Sequence, residues 1–320
     1  MGMYDLPVSA NSPCAFVHPP LERPAALCTD PIKRAALWPF SHVVLFNPQG
    51  QVFADPNGRP LALNGAQLDA MDGQRAVFLG IDADHAAWFA VETTAPPCPA
   101  QATELMTVAL SWPKTLVSLS AFARSLLIWI GQTRFCSRCG HSVQRHDNGF
   151  ALRCQSCQQL FWPPVTPAII VAVHDGEDRL LLGRQSSWTP QRYSVIAGFV
   201  EPGETYEHAV AREVFEETRI QLESVDYVTS QPWPFPSNLM LGFMAQAKSG
   251  QIPMAQDELE DARWFDRAAI GTWLDDDRPK NASVILPSPL ALSRVLIEHW
   301  YRRSESAQCD RSIPHAGLGQ

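Results

Sequence analysis

Gly198-Phe-Val-Glu-Pro-Gly-Glu204, followed by Arg212-Glu213-Val-Phe-Glu216-Glu217, is the stretch on which the fold and chemistry of this chain turn. It gathers carboxylates beside a turn bracketed by two glycines. Several carboxylate oxygens in one place suit a hard divalent cation such as Mg²⁺ or Mn²⁺. A magnesium ion that keeps some of its waters usually completes its shell with substrate phosphates. The stretch therefore points to phosphate chemistry.

Thr205 to Thr218 holds few helix breakers, and on a 3.6-residue period Glu213, Glu216 and Glu217 fall within an arc of roughly 100°. Val210, Ala211, Val214 and Phe215 fall largely on the other side, where the pattern predicts packing onto a sheet. Like charges at this spacing repel by about 0.2–0.5 kcal/mol per pair, and Arg212, one turn before Glu216, offsets only part of that. A bare Glu-x-x-Glu-Glu cluster equally describes a solvated acidic helix face. The longer string separates the two readings.

That string resembles the Nudix box, Gly-x5-Glu-x7-Arg-Glu-U-x-Glu-Glu-x-Gly-U with U aliphatic, at Gly198, Glu204, Arg212, Glu213, Val214, Glu216, Glu217 and Ile220. Arg219 stands where the box has glycine. A glycine just past a helix usually supplies a left-handed residue, a conformation that costs a residue with a side chain about 1 kcal/mol. The departure therefore bears on the helix exit and not on the ligands. The resemblance implies an α/β/α sandwich around a mixed sheet, presenting a loop-helix-loop at one end, and hydrolysis of a nucleoside diphosphate linked to another moiety. It also implies Glu213 and Glu217 as metal ligands, Glu216 as ligand or general base, and the main-chain oxygen of Ala197 as a further ligand. A cation so held stabilises charge developing on diphosphate oxygens and lowers the pKa of a bound water. Spacing leaves open which glutamate takes the proton.

Upstream, Cys136-x2-Cys139 and Cys154-x2-Cys157 are separated by fourteen residues, with Gly140 just past the first pair. Two such knuckles predict a tetrahedral Cys₄ zinc site. A pair of disulfides competes with this reading, but nothing marks the chain as secreted, and cytosolic thiols stay reduced. His141 and His146 have ligand chemistry, yet four thiolates already complete the shell. A closed shell leaves no open position, so the zinc is expected to be structural. Arg134, Arg138, Arg145 and Arg153 give the ribbon a basic cast. That keeps a nucleic-acid role open beside the plainer one of solvated arginines.

With 320 residues and 46% hydrophobic content, the chain suits two domains plus a small module, and a net charge of −8 argues against a generic nucleic-acid binder. Cys14, Cys28, Cys98 and Cys309 stand singly and read as plain thiols. Residues 1–30 lack the basic start and apolar core of a signal peptide, and Met1-Gly2 lacks the Ser or Thr of a myristoylation site. Residues 116–130 are the most apolar stretch, short for a bilayer span and carrying Arg124, and read as a buried amphipathic helix. A cytoplasmic enzyme with no membrane partner is expected.

Along the chain, residues 1–35 read as a proline-rich flexible arm. Residues 36–130 read as an N-terminal β-rich α+β domain with strands at 42–46, 76–79 and 86–91. Residues 131–162 form the ribbon. Residues 163–302 form the catalytic domain, with strands at 168–173, 179–182 and 193–198, further strands near 227 and at 239–245, and a helix over 291–301. Residues 303–320 read as a disordered tail.

Between the last two of those strands, Ser230-Gln-Pro-Trp-Pro-Phe-Pro236 carries three prolines that stiffen a loop displaying Trp233 and Phe235. Rigid exposed aromatics suit stacking on a flat base, each stack worth about 1–3 kcal/mol, although a proline loop packing its aromatics into a core has the same composition. This string, the ribbon and the box, in that order, resemble the NADH pyrophosphatase (NudC) family over nearly the whole chain. The resemblance implies hydrolysis of NADH or NAD⁺ to nicotinamide mononucleotide and AMP with catalytic Mg²⁺ or Mn²⁺ and structural Zn²⁺, and in some members removal of an NAD cap from RNA. It sets Gln231, Trp233, Phe235, Pro236, Ser237 and Asn238 along the nucleotide pocket, Phe199 against a ring face, and Glu258 as a late metal ligand with Glu260 as its near neighbour. Trp162 stands where the family often has a tyrosine and suits stacking. A homodimer is implied, with aromatic residues of one subunit closing the other's pocket. The alternative from another class is a zinc-ribbon nucleotide- or RNA-binding protein on a non-catalytic Nudix scaffold. Arg219 hints at it, and the intact Glu213, Glu216 and Glu217 oppose it.

Overall fold

A computed structural model of the chain describes residues 14–17, 21–61, 63–69, 73, 75–249, 259–275 and 284–311. The chain divides into two units, Met1–Val165 with Pro232–Asn238, and Thr166–Gln231 with Leu239–Gln320.

In the N-terminal unit the described elements are α1 (Ala25–Thr29), α2 (Pro31–Leu37), β1 (His42–Phe46), β2 (Val52–Ala54), β3 (Leu63–Asn64), β4 (Val77–Ile81), β5 (Ala87–Glu92), β6 (Gln101–Thr103), α3 (Leu105–Val108) and α4 (Lys114–Gln132). The strands order β4-β5-β1-β2-β6 with β3 also on β1, and β1 and β5 run parallel. Short Asx turns make the hairpins. Asn47 accepts from the Gln49 and Gln51 amides, Asp55 from Asn57 and Arg59, and Asp82 from Asp84 and Ala86. One face of the sheet buries Val43, Leu45, Phe53, Phe78, Phe89 and Val91. Helix α4 has the length and apolarity of a membrane span, but Val117, Leu119, Ala123, Leu126 and Leu127 are buried in the unit, as the amphipathic reading expects.

The flexible arm expected over 1–35 does not hold for its described part. Cys14, Phe16 and Leu21 are buried, and two short helices follow. Pro31 occupies the first turn of α2, and Asp30 caps that helix by accepting from the Ile32 and Lys33 amides. The proline there starts a helix. The ribbon belongs to the same unit, as β7 (Val143–His146), β8 (Ala151–Cys154) and β9 (Leu160–Phe161), an antiparallel meander with Val143 opposite Cys154.

The C-terminal unit comprises β10 (Thr166–His174), β11 (Arg179–Arg184), β12 (Ile196–Phe199), α5 (Tyr206–Thr218), β13 (Leu222–Trp233), β14 (Asn238–Ala247), β15 (Asp261–Asp266), α6 (Arg267–Asp275) and α7 (Leu292–Arg311). Its strands order β13-β14-β10-β11-β15, with β12 also on β10. Strand β10 is apolar on both faces because both are covered. Ile169, Val171 and Val173 meet Val210 and Val214 of α5, while α7 also packs against the strand. Each fully buried Val or Ile stabilises the fold by roughly 1.5–3 kcal/mol. This is a sheet covered by helices, as the Nudix resemblance implies.

Two boundaries differ from the sequence reading. The string 230–236 is mostly strand, because β13 runs through Trp233 and only 234–237 form the turn into β14. Pro232 is tolerated because β13 lies at the sheet edge. Helix α7 continues past 303, where a disordered tail was expected, to Arg311.

Candidate active site and metal centre

Helix α5 begins at Thr205, whose side chain accepts from the His208 amide at 3.2 Å, and ends at Arg219 in a left-handed conformation, φ 59°. Arg219 thus takes the glycine conformation that the box position demands, and its guanidinium lies 5.5 Å from the centroid of the Phe215 ring. The packing stripe is Val210, Val214 and Glu217, at i, i+4 and i+7, so the Glu217 carboxylate is buried at the end of an apolar row. Ala211 and Phe215, expected on that side, are exposed, Phe215 at 42%. They sit about 100° further round the helix than Val210 and Val214.

Glu213 lies on β12. A Cβ built on Gly198 would overlap the Glu213 carboxyl, so the missing side chain makes the cradle in which that carboxylate rests. Strand β12 is held to β10 with Ala197 opposite Ile170 and Gly198 opposite Ile169. Ala197 is exposed.

Arg212 organises the carboxylates. Its Nε and Nη2 grip Glu204 at 2.7 and 3.0 Å, its Nη1 donates to Glu213 and to Glu216 at 3.0 Å each, and Nη2 also donates to the Phe199 carbonyl at 2.9 Å. The Arg212 fork and the Glu201 amide bring the Glu204 carboxyl down to about 2. The carboxylates in turn raise the Arg212 pKa, the Glu204 hydrogen bonds most. The sequence reading assigned Arg212 only to Glu216. Its bond to Glu204, eight residues away, depends on the 201–204 turn closed by Glu204 N–H to Glu201 O, which no helical period reveals.

The donor set is all oxygen, graded from the buried Glu217 through the mostly covered Glu213 to Glu216, whose side chain is 56% exposed. That chemistry and the glycine cradle fit a hard divalent cation. Glu213 and Glu216 are drawn to Arg212 rather than to one another. Among the described residues, the group whose ligand atoms all lie within 4.8 Å of one another is Cys136, Cys139, Cys154 and Cys157.

The cysteine group fits zinc. The Sγ separations of Cys136–Cys157 and Cys139–Cys154 are 3.6 and 3.4 Å. A tetrahedron with Zn–S bonds of about 2.3 Å has edges of about 3.8 Å. Burial works against ionising Cys154, but amide donors from Cys157 and Ser156 outweigh it and bring the thiol down to about 6. His141 bonds to the Cys139 carbonyl and His146 to Arg153, so neither histidine belongs to the group.

The remaining predicted residues are spread more widely. Phe199, at the end of β12, is 56% exposed, and Trp162 is 63% exposed. Trp162 also lines a cavity of about 1030 Å³ in the N-terminal unit with Arg34, Trp38, Phe89 and Arg145. Gln231 is fully buried and donates to the Leu290 carbonyl at 2.8 Å. Trp233 and Phe235 are half-buried and meet edge-on, with ring centroids 5.4 Å apart. Pro236 is exposed, Ser237 donates to the Pro164 carbonyl at 2.9 Å, and Asn238 opens β14. Glu258 falls outside the described residues. Its neighbour Glu260 is paired with Arg184. Of the ribbon arginines, Arg145 donates to the Arg75 carbonyl and Arg153 contacts His146, while Arg138 is exposed.

The NUDIX domain family matches residues 164–286, and the NADH pyrophosphatase zinc ribbon domain matches residues 132–161. The NAD-capped RNA hydrolase NudC of Mycobacterium bovis is 33% identical over 291 residues, 87% of this chain and 92% of that protein. The NAD-capped RNA hydrolase NUDT12 of Macaca fascicularis is 40% identical over 191 residues, 57% of this chain, and the match spans 41% of that longer protein. A solved NUDIX hydrolase from Nitrosomonas europaea overlaps 55% of this chain and 93% of its own, at 22% identity and a TM-score of 0.41.

Proposed function

Because this chain belongs to the NudC family of Nudix hydrolases, we propose that it hydrolyses the diphosphate linkage of NADH or NAD⁺ to nicotinamide mononucleotide and AMP. The observation that carries this reading is the Glu213 carboxylate seated on Gly198, with Glu217 buried one turn further along α5 and Arg212 donating to both Glu213 and Glu204.

Glu213, Glu217 and the main-chain oxygen of Ala197, with Glu258 and with Glu216 where it is not the base, would hold Mg²⁺ or Mn²⁺. When bound, the cation supplies charge stabilisation to the diphosphate oxygens and acidifies a water. Arg212 fixes the Glu204 turn and the Phe199 carbonyl, and so keeps β12 and α5 in register. Glu216, the most exposed of the three glutamates, serves in this reading as ligand or as the general base that takes the proton of the attacking water. The water oxygen bonds to one phosphorus, the bridging P–O bond breaks, and the bridging oxygen leaves with the other phosphate. The nicotinamide ring is untouched. Phe199, Trp162 and the 231–238 segment, with Trp233 and Phe235 as its rings, are proposed to hold the nucleotide.

Removal of an NAD cap from RNA by the same site is a second reading, supported by the activity in the names of the NudC and NUDT12 relatives. The engagement of Arg145 and Arg153 within the N-terminal unit gives it less ribbon charge to draw on. A cytoplasmic homodimer belongs to the same proposal and rests on the family resemblance. Sedimentation that gave only monomer with full activity would remove the dimer.

Reaction in ¹⁸O-water tests the chemistry. One labelled oxygen in one of the two mononucleotide products supports hydrolysis at a phosphorus, and unlabelled products contradict it.

A further inference from the structure

The contacts on the 234–236 turn come from within the N-terminal unit, to which residues 232–238 belong. Arg124, in the middle of α4, donates from Nε to the Gly50 carbonyl at 2.9 Å and from Nη1 to the Pro234 carbonyl. Its guanidinium lies 4.9 Å from the centroid of the Phe235 ring. Ser125 donates to the Pro236 carbonyl at 3.1 Å. Buried Phe16 meets the edges of both Trp233 and Phe235, with centroids 5.7 and 5.8 Å away. Three successive turn residues are thus held, Pro234 by Arg124, Phe235 by Arg124 and Phe16, and Pro236 by Ser125.

Arg124 is an unusual choice if packing alone were at stake. It is half-buried, its bonds go to two carbonyls, and burial lowers its pKa. An apolar residue of similar volume would fill the space without the desolvation cost of a charge. What a guanidinium adds is a planar fork that bonds in two directions while stacking on a ring, which an ammonium cannot reproduce. Gly50 is shaped to match. Its φ is 76°, and a Cβ there would come within 2.8 Å of Ile128 and 3.3 Å of the Arg124 Nε.

We propose that Arg124 is a positioning residue for substrate binding. Through it the N-terminal unit fixes the orientation of Trp233 and Phe235, and so sets how tightly the dinucleotide is held. The proposal rests on the reading of residues 231–238 as part of the nucleotide site. Interactions of this supporting kind hold a binding group within about 0.5 Å of its working position, and a loss of binding shared by ground and transition states raises KM with kcat unchanged.

The test is steady-state kinetics on the full-length, zinc-loaded protein with NADH, comparing wild type with Arg124→Met, Arg124→Lys, Ser125→Ala and Trp233→Ala. Arg124→Met is expected to raise KM about tenfold with kcat within about twofold, a split that a general loss of stability would not produce. Arg124→Lys should not restore KM, and Ser125→Ala should raise it about two- to threefold. If Arg124→Met does not fold, the lysine and Ser125 variants carry the same comparison. A raised KM in Trp233→Ala with KM unchanged in the Arg124 and Ser125 variants overturns the positioning role and leaves the nucleotide-site reading standing. An unchanged KM in Trp233→Ala overturns the nucleotide-site reading itself, and the proposal with it.

Discussion

The Glu213 carboxylate occupies the space that a Cβ on Gly198 would need. The first glycine of the box is therefore a matter of room for the Glu213 carboxylate. Its neighbours Ala197 and Phe199 are ordinary strand residues paired with β10.

Gly198→Ala should leave the fold intact, because the end of the Glu213 side chain can swing aside, but it moves a proposed ligand. Apparent Mn²⁺ affinity and activity should drop by about 10–100-fold, the range seen when groups supporting a metal site are displaced. Circular dichroism with a Mn²⁺ titration checks this. An unchanged titration would separate Gly198 from the cation.

Glu204 is held at about 2 by Arg212 and the Glu201 amide. A carboxyl whose pKa falls on folding adds stability that is complete above its unfolded value, 4.5, and is lost as pH falls through about 2. Urea unfolding at a series of pH values from 7 to 3 should therefore show wild type losing stability more steeply below pH 4.5 than Glu204→Gln does. Parallel curves would mean that the Arg212–Glu204 pair does not persist in solution.

Arg219 holds a left-handed conformation that suits glycine. Arg219→Gly should stabilise the protein by about 0.5–1 kcal/mol, the relief of the backbone cost less a weak exposed contact with Phe215. Chemical denaturation reads the change, and kcat should not move. A large loss of activity would give Arg219 a role at the site.

The four cysteine sulfurs fit one zinc ion per chain. Elemental analysis should give that ratio, and Cys154→Ser should lose the metal and destabilise the N-terminal unit, because binding energy in a closed site is folding energy. Retention of full stability without zinc would contradict a structural role.

The sequence revealed what depends on spacing along one element or one short knuckle. The Glu213-Val-Phe-Glu216-Glu217 run and the two Cys-x-x-Cys pairs are such cases. Contacts closed by a turn stayed hidden. Arg212 meets Glu204 because Glu201–Glu204 folds back, and Arg124 meets Pro234 across 110 residues of chain. Periodicity also misjudged the packed stripe of α5. Val210 and Val214 were read correctly, but burial centres on their row and takes in Glu217, which leaves Phe215 outside. Proline misled twice, at Pro31, which begins α2, and at Pro232, which lies in an edge strand.

In the proposed reaction the box glutamates carry out metal-dependent cleavage of a dinucleotide. The most direct measurement is chromatographic analysis of products after incubating the protein with NADH and Mg²⁺ or Mn²⁺, beside Glu217→Gln and an EDTA control. AMP and reduced nicotinamide mononucleotide are expected in equal amounts, absent from both controls. NADH recovered intact from a folded, zinc-loaded protein would contradict it.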